Sequence, residues 1–290
     1  MFSYHEIFGG ISTSEETNKA HINLDAIQYH LDVSLGKVLQ LTSVGLNASQ
    51  NILEISPPFP GVTFSIEPPI ILWKDLPSIK KAFNRWLLIN GLNELIEAVG
   101  WSLEEVRKIC AFISLSEGGI ISKDIDVNNE IFGPLKKFHK FGLPNKLDYL
   151  SDKYGVNIIP ESSECLRSIK KARNCVVHRN GIVSDLDTNS GDVLIVKWKT
   201  LTIFRTQPDG KEVVLGNEPR TLKNGTVSVR PVESKKIFKK GEEITFTNQE
   251  FVHIYHTLRL CMMDIISEVK KYANSKGVPE RNSRKQQSND

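Results

Sequence analysis

Arg173, Asn174 and His178 fall within six consecutive residues, Arg173-Asn174-Cys175-Val176-Val177-His178. Arginine holds a phosphate through a rigid fork of donors. Histidine is the side chain best suited to pass a proton near neutral pH. An amide beside them can orient either group. The combination suggests chemistry on a phosphodiester. The surrounding field has the same sense: from Cys165 to Ser184 there are five cations, Arg167, Lys170, Lys171, Arg173 and Arg179, and no Asp or Glu. Such a run attracts phosphates. Its bland alternative is a solvated helix face.

The residues around this segment must form a helix for the group to work together. Pro160 fits a first helical turn and Gly181 the residue just past the end, and Leu166, Ile169, Ala172 and Val176 mark a buried stripe. On that helix Lys170, Asn174 and His178 share a face, with Arg173 at its edge beside the apolar stripe. Arg173 and His178 lie about 7.5 Å apart along the axis. A long side chain, a frayed end or pairing across a two-fold axis would bring them together.

The wider chain predicts a mainly helical protein. Residues 16–45 carry apolar positions at 3-4 spacing. Residues 48–77 are proline-rich and read as a surface loop. A helix is expected over 78–98, ended by Gly100, and another from a Ser102-Leu103-Glu104-Glu105 capping box to about Ser114. Its polar face offers Asn90, Asn93, Glu94 and Glu97, either bordering the motif helix or facing solvent, and the second is favoured. Segment 115–128 reads as loop, with short helices at about 129–140 and 145–153, the latter capped by Asn145. From about 193 to 247 the pattern alternates and becomes β-branched, in five pieces ending with Glu243-Ile244-Thr245-Phe246. Pro208-Asp209-Gly210, Asn224-Gly225 and Lys240-Gly241 supply turns, which predicts a small antiparallel sheet. Thr247-Asn248-Gln249-Glu250 is a second capping box and opens a last helix over about 248–273, followed by a polar tail over 276–290 expected to be disordered.

The motif and its flanks resemble the HEPN superfamily, whose signature is Arg, usually a polar residue, three or four further positions, then His. Lys170-Lys171-Ala172 before the arginine, Gly181-Ile182-Val183 after the histidine, and Lys240 to Thr247 leading into the last helix are similar as well. The resemblance implies a HEPN-like helical bundle with a small antiparallel β insertion before the last long helix. It divides the chain into 1–77, a helix and proline-rich loop; 78–275, the helical domain with its insertion at about 193–247; and the tail. It further implies a homodimer whose two motif helices face one cleft. The implied activity is a metal-independent endoribonuclease, a toxin or antiviral-defence effector, with RNA as substrate and a cognate inhibitor or partner protein alongside. Carried over, Arg173 polarises the scissile phosphate, His178 is the general acid/base and Asn174 orients phosphate or imidazole. Lys170, Lys171, Arg179 and Arg167 would contact RNA. The other outcome for such a bundle is a non-catalytic module that binds RNA or protein.

Composition excludes several classes. With 290 residues, 40% hydrophobic and 24% charged, the chain is long enough to bury a full core without staples. Cys110, Cys165, Cys175 and Cys261 form no CxxC pair, so they are expected to be buried thiols of a reducing compartment. The N-terminus has no signal-peptide pattern and no apolar run approaches a membrane span, which points to the cytoplasm and away from the membrane. No phosphate-binding glycine loop or HExxH is present, so no cofactor is expected. His253 and His256 stand three apart without a matching third ligand, and no metal is expected. Trp73, Trp86, Trp101 and Trp198 are scattered and are expected to anchor the core.

Overall fold

The computed structural model describes residues 22–53, 75–117, 120–121, 126, 128–207, 209–215 and 226–278. The expectations for the first twenty-one residues, for most of the proline-rich loop and for the tail from 279 lie outside these.

Six α-helices and one three-stranded antiparallel sheet carry the fold among the described residues. The first, α1, spans Leu24–Gln50 and starts where the Asn23 side chain accepts from the Ala26 N–H at 3.1 Å. It buries Leu24, Ile27, Leu31 and Leu35. Helix α2 spans Leu76–Leu115, capped by Asp75, whose carboxylate accepts from the Ser78 N–H at 2.7 Å.

This 40-residue helix runs straight through Gly100, where the sequence predicts a break. A glycine costs a helix only about 1 kcal/mol against alanine, which packing on both flanks outweighs. Leu92, Leu95, Ile96 and Val99 before it and Leu103, Val106, Ile109 and Cys110 after it are all buried. The Ser102 hydroxyl does not cap a new helix but donates back to the Ala98 carbonyl at 3.0 Å. Lys146 also reaches the Gly100 carbonyl, at 3.3 Å.

A π-helical turn (Asn128–Phe132) leads into α3 (Gly133–His139), followed by α4 (Leu143–Tyr154). Helix α4 begins three residues earlier than an Asn145 cap allows, with Gly142 at the cap position. Two-residue strands β1 (Ser116–Glu117) and β2 (Ile120–Ile121) pair with each other ahead of these helices. Helix α5, the motif helix, spans Pro160–His178 and buries Cys165, Leu166, Ile169, Ala172, Cys175 and Val176. Gly181 ends it at φ +78°, with its N–H on the Cys175 carbonyl at 3.1 Å. An added Cβ there would lie 2.9 Å from the Arg85 guanidinium, so glycine serves both backbone conformation and close approach.

The sheet has the order β4-β3-β5: β3 is Val193–Thr206, β4 Glu212–Leu215 and β5 Thr226–Lys239. The expected pieces at 193–196 and 201–204 join into one strand. Strands β3 and β5 pair along their whole length, from Val193↔Lys239 to Thr206↔Thr226. The near half of β3 buries Leu194, Val196 and Trp198 and is tied to α5, where Ser168 Oγ accepts from the Lys197 N–H at 2.9 Å. Most of β5 faces solvent, and the inward positions of its second half are Ser234, Lys236 and the buried Phe238, two of them polar, so no apolar alternation marks that half. Glu243–Phe246, expected as a strand, instead crosses the end of α5, the Ile244 N–H meeting the Gly181 carbonyl at 2.8 Å.

Helix α6 (Asn248–Ser275) opens with the expected capping box: Thr247 accepts from the Glu250 N–H at 3.1 Å and Glu250 from the Thr247 N–H at 2.7 Å. Its Phe251, Ile254, Leu258, Met262 and Ile265 complete one continuous core with α1, α2 and α5. Gly91 marks the tightest crossing. A Cβ there would meet Phe251 Cζ at 2.7 Å and Thr42 Oγ1 at 2.8 Å. Gly91→Ala is therefore expected to destabilise the fold by about 1–3 kcal/mol, read as a lower denaturation midpoint, although alanine is the better helix former.

The four cysteines are buried, as expected, and form no disulfide. Burial pushes the Cys110 thiol up to about 12 and that of Cys175 to about 11, so neither is a ready nucleophile. The tryptophan expectation needs correction. Trp198 is in the core, but Trp86 and Trp101 are 58% and 63% exposed. They lie on the solvent side of α2, where only one face of the long helix is covered. Trp86 stacks on Phe83 and Trp101 meets His139 edge-on. No described helix is long and apolar enough to cross a membrane.

Candidate active site on the motif helix

Arg173 leaves α5 on the side that faces α2. Its Nε–H donates to Asn93 Oδ1 at 2.7 Å and an Nη2–H to Glu97 Oε1 at 2.8 Å. The side chain is 15% exposed. Asn93 and Glu97 are four apart on α2 and so share a face. Arg85, two turns before Asn93 on the same stripe, completes the row. Its Nη2 donates to the Asn180 carbonyl at 3.0 Å and pairs with Glu243 at 2.7 Å. One polar edge of α2 therefore supports the motif helix from Arg173 to its C-terminal turn. The sequence displays Asn93 and Glu97 as a polar face, but solvent exposure is the favoured expectation for them; the structure turns them onto Arg173. Only their 4-residue spacing carried that signal.

Two N–H groups of Arg173 are engaged out of the five a guanidinium offers. The remainder make no hydrogen bond with a described residue. Lys170 stands nearby, half-buried. Burial, and then the Arg173 charge, hold its ammonium below the usual lysine range, with Glu97 acting in the other direction. A desolvated cation of this kind loses less hydration when it meets a phosphate.

His178 occupies the last residue of α5 and is exposed. It makes no hydrogen bond or ion pair with a described residue, nor does the half-buried Asn174. Five residues separate His178 from Arg173, about 140° around the axis. Arg173 accordingly sits at the α2 edge of the exposed face, while Asn174 and His178 lie towards its middle. Val177, Ile182 and Leu186, within eight residues of the histidine in sequence, are exposed apolar side chains, at 44%, 44% and 79%.

The basic residues expected to contact RNA are dispersed into separate roles. Arg179 turns back onto Asp187, which is 1% exposed, with Nε–H contacts of 2.9 and 2.8 Å and a second nitrogen on Oδ1. The same carboxylate accepts from the Ser184 N–H at 2.9 Å and its hydroxyl at 2.8 Å. Burial alone would raise the Asp187 carboxyl, but Arg179 and Ser184 outweigh it and hold it below the ordinary value. Arg179 thus fastens the turn after the motif. Arg167 engages Asp148 and Ser163, and Lys171 donates to the Thr188 carbonyl at 2.7 Å. Asp187 lies outside the motif and left no spacing signal except Ser184, three residues before it.

His253 and His256 lie on α6 with partial exposure, the ring of His256 edge-on to Tyr255 at 4.9 Å. Burial, with the charges of His253 and Arg259, lowers the His256 imidazole. Asp264, below them in sequence, is engaged with Ser162 and Lys199. Among the described residues no three His, Cys, Asp or Glu side chains group to hold a metal ion.

Compared with family models, curated proteins and solved structures, the chain shows no significant match. The site is accordingly judged on its own geometry.

Proposed function

We propose that the chain is a metal-independent endoribonuclease of HEPN type that works as a homodimer. The observation that carries this reading is the guanidinium of Arg173, fixed by Asn93 and Glu97 yet retaining free donors, on the same helix end as an exposed imidazole. Fixed donors stabilise charge that develops in a transition state without reorganising. In the proposed reaction His178 takes the proton of a ribose 2′-hydroxyl, whose oxygen bonds to phosphorus. The bond from phosphorus to the 5′-oxygen breaks, and an imidazolium returns a proton to that oxygen. Arg173 and Lys170 offset the charge on the phosphoryl oxygens, and Asn174 orients the phosphate. The products are a cyclic 2′,3′-phosphate and a 5′-hydroxyl. The exposed apolar Val177, Ile182 and Leu186 at the end of α5 and the turn after it favour a second copy as neighbour, which would bring two motif helices to one cleft. Such an enzyme fits a toxin or an antiviral-defence effector of the cytoplasm, restrained by a cognate inhibitor.

A second reading, a non-catalytic module that binds RNA or protein, draws on the carboxylate already paired to Arg173. The two separate under substitution. For the nuclease, His178→Ala is expected to abolish cutting of a folded RNA while retaining affinity for it. A protein that binds RNA but leaves it intact at large molar excess supports the module.

A further inference from the structure

On the flank of α5 away from Arg173 lies a cleft of about 780 Å³ between α4, the first half of α5 and the near half of the sheet. Arg167, Lys171, Lys197 and Lys235 line it, against the carboxylates of Asp148 and Glu164 alone. Two of these lysines are set against each other. Lys197 on β3 stands directly opposite Lys235 on β5, and like charges at such a position destabilise a sheet. Glu164 and Glu233 hold Lys197 at 2.8 and 3.3 Å. Lys235 is exposed and has no ion pair with a described residue. The cleft therefore keeps an uncompensated positive charge. Its remaining wall includes Leu147, Ile158 and Ile195, an apolar surface beside the cations. An inorganic anion would leave most of this volume empty. A ligand that is anionic at one end and flat and apolar at the other fills both requirements.

We propose that this cleft binds a nucleotide, with its phosphate at Lys197 and Lys235 and its base against the apolar wall. The site goes beyond the nuclease reading and stands without it. The phosphate has two sources: a free nucleotide, or one residue of an RNA strand. The second is sterically natural, because Arg167, Lys171, Asn174 and His178 fall within about 60° on α5, so the cleft mouth and the histidine share a face about 16 Å apart.

The test is binding to the full chain carrying His178→Ala, so that no RNA is cut. The probes are AMP by calorimetry and a fluorescein-labelled single-stranded RNA by anisotropy. Lys235→Glu reverses an exposed charge that no described partner depends on. Lys211→Glu makes the same change of net charge at the exposed far end of the sheet. Binding of AMP that Lys235→Glu weakens by about tenfold or more, with Lys211→Glu near wild type, supports the site as a nucleotide pocket. The same pattern for RNA without AMP binding supports it as a strand subsite. Equal losses in both variants, or no binding of either probe, overturn the proposal. RNA cleavage by the chain with an intact His178 is scored separately, so the fate of the nuclease reading does not decide this one.

Discussion

Replacing Arg173 with alanine is expected to slow RNA cleavage by about 100- to 1,000-fold, the usual cost of removing one fixed donor from a developing oxyanion. The loss should fall on kcat, because the free donors of the guanidinium meet charge that is fully formed only in the transition state. Stability should change little. Glu97, the partner left behind, is half exposed and can be rehydrated. Glu97→Gln separates positioning from charge: it keeps an acceptor for Arg173 while removing the competing carboxylate, and should leave cutting within reach of wild type. Single-turnover kinetics on one labelled RNA, with a denaturation curve for each variant, checks both statements. Loss of cleavage accompanied by loss of folding would assign Arg173 a structural role.

The second large effect is on stability. Asp187→Ala is expected to destabilise the protein by about 3–5 kcal/mol, the cost of leaving one half of a buried ion pair uncompensated. Arg179 would lose its bidentate partner and Ser184 two bonds, so the turn over 182–190 should loosen next to His178. The pH dependence has a definite sign. The folded-state value of Asp187 is depressed, so its contribution is fully present above the ordinary carboxylate value of about 3.9. It is lost as pH falls through the folded value. Wild type should therefore lose stability on acidification below about pH 4, and Asp187→Asn should lose less over the same interval. Urea midpoints at stepped pH measure this. Parallel curves for the two proteins would remove Asp187 from the account.

Much of the architecture was legible because it rests on local rules. The motif helix begins at Pro160 and is closed by Gly181, as their side-chain chemistry requires. The Thr247 capping box opens α6 where its pattern stands. Failures came where tertiary contacts overrode those rules. Gly100 and Ser102 look like a stop and a start, but buried residues on both sides carry α2 through them. The second half of β5 was hidden because two of its three inward positions, Ser234 and Lys236, are polar. At the candidate site, the motif names Arg173 and His178, yet nothing local says that Asn93, Glu97 and Arg85 support them from about 80 to 95 residues away. The charge run also misleads. Four of the five cations that stand without an acid in sequence are, in space, met by Asp148, Asp187, Glu97 and a carbonyl. Sequence density of charge overstated the free field, and a further lysine without an ion pair to a described residue, Lys235, stands on β5.

The most direct measurement is the chemistry of the cut ends after a folded RNA is incubated with the pure protein in excess EDTA. The account predicts fragments ending in a 2′,3′-cyclic phosphate, each followed by a fragment with a 5′-hydroxyl, and neither from the His178→Ala protein. Intact RNA, or ends bearing a 5′-phosphate and a 3′-hydroxyl, would contradict it.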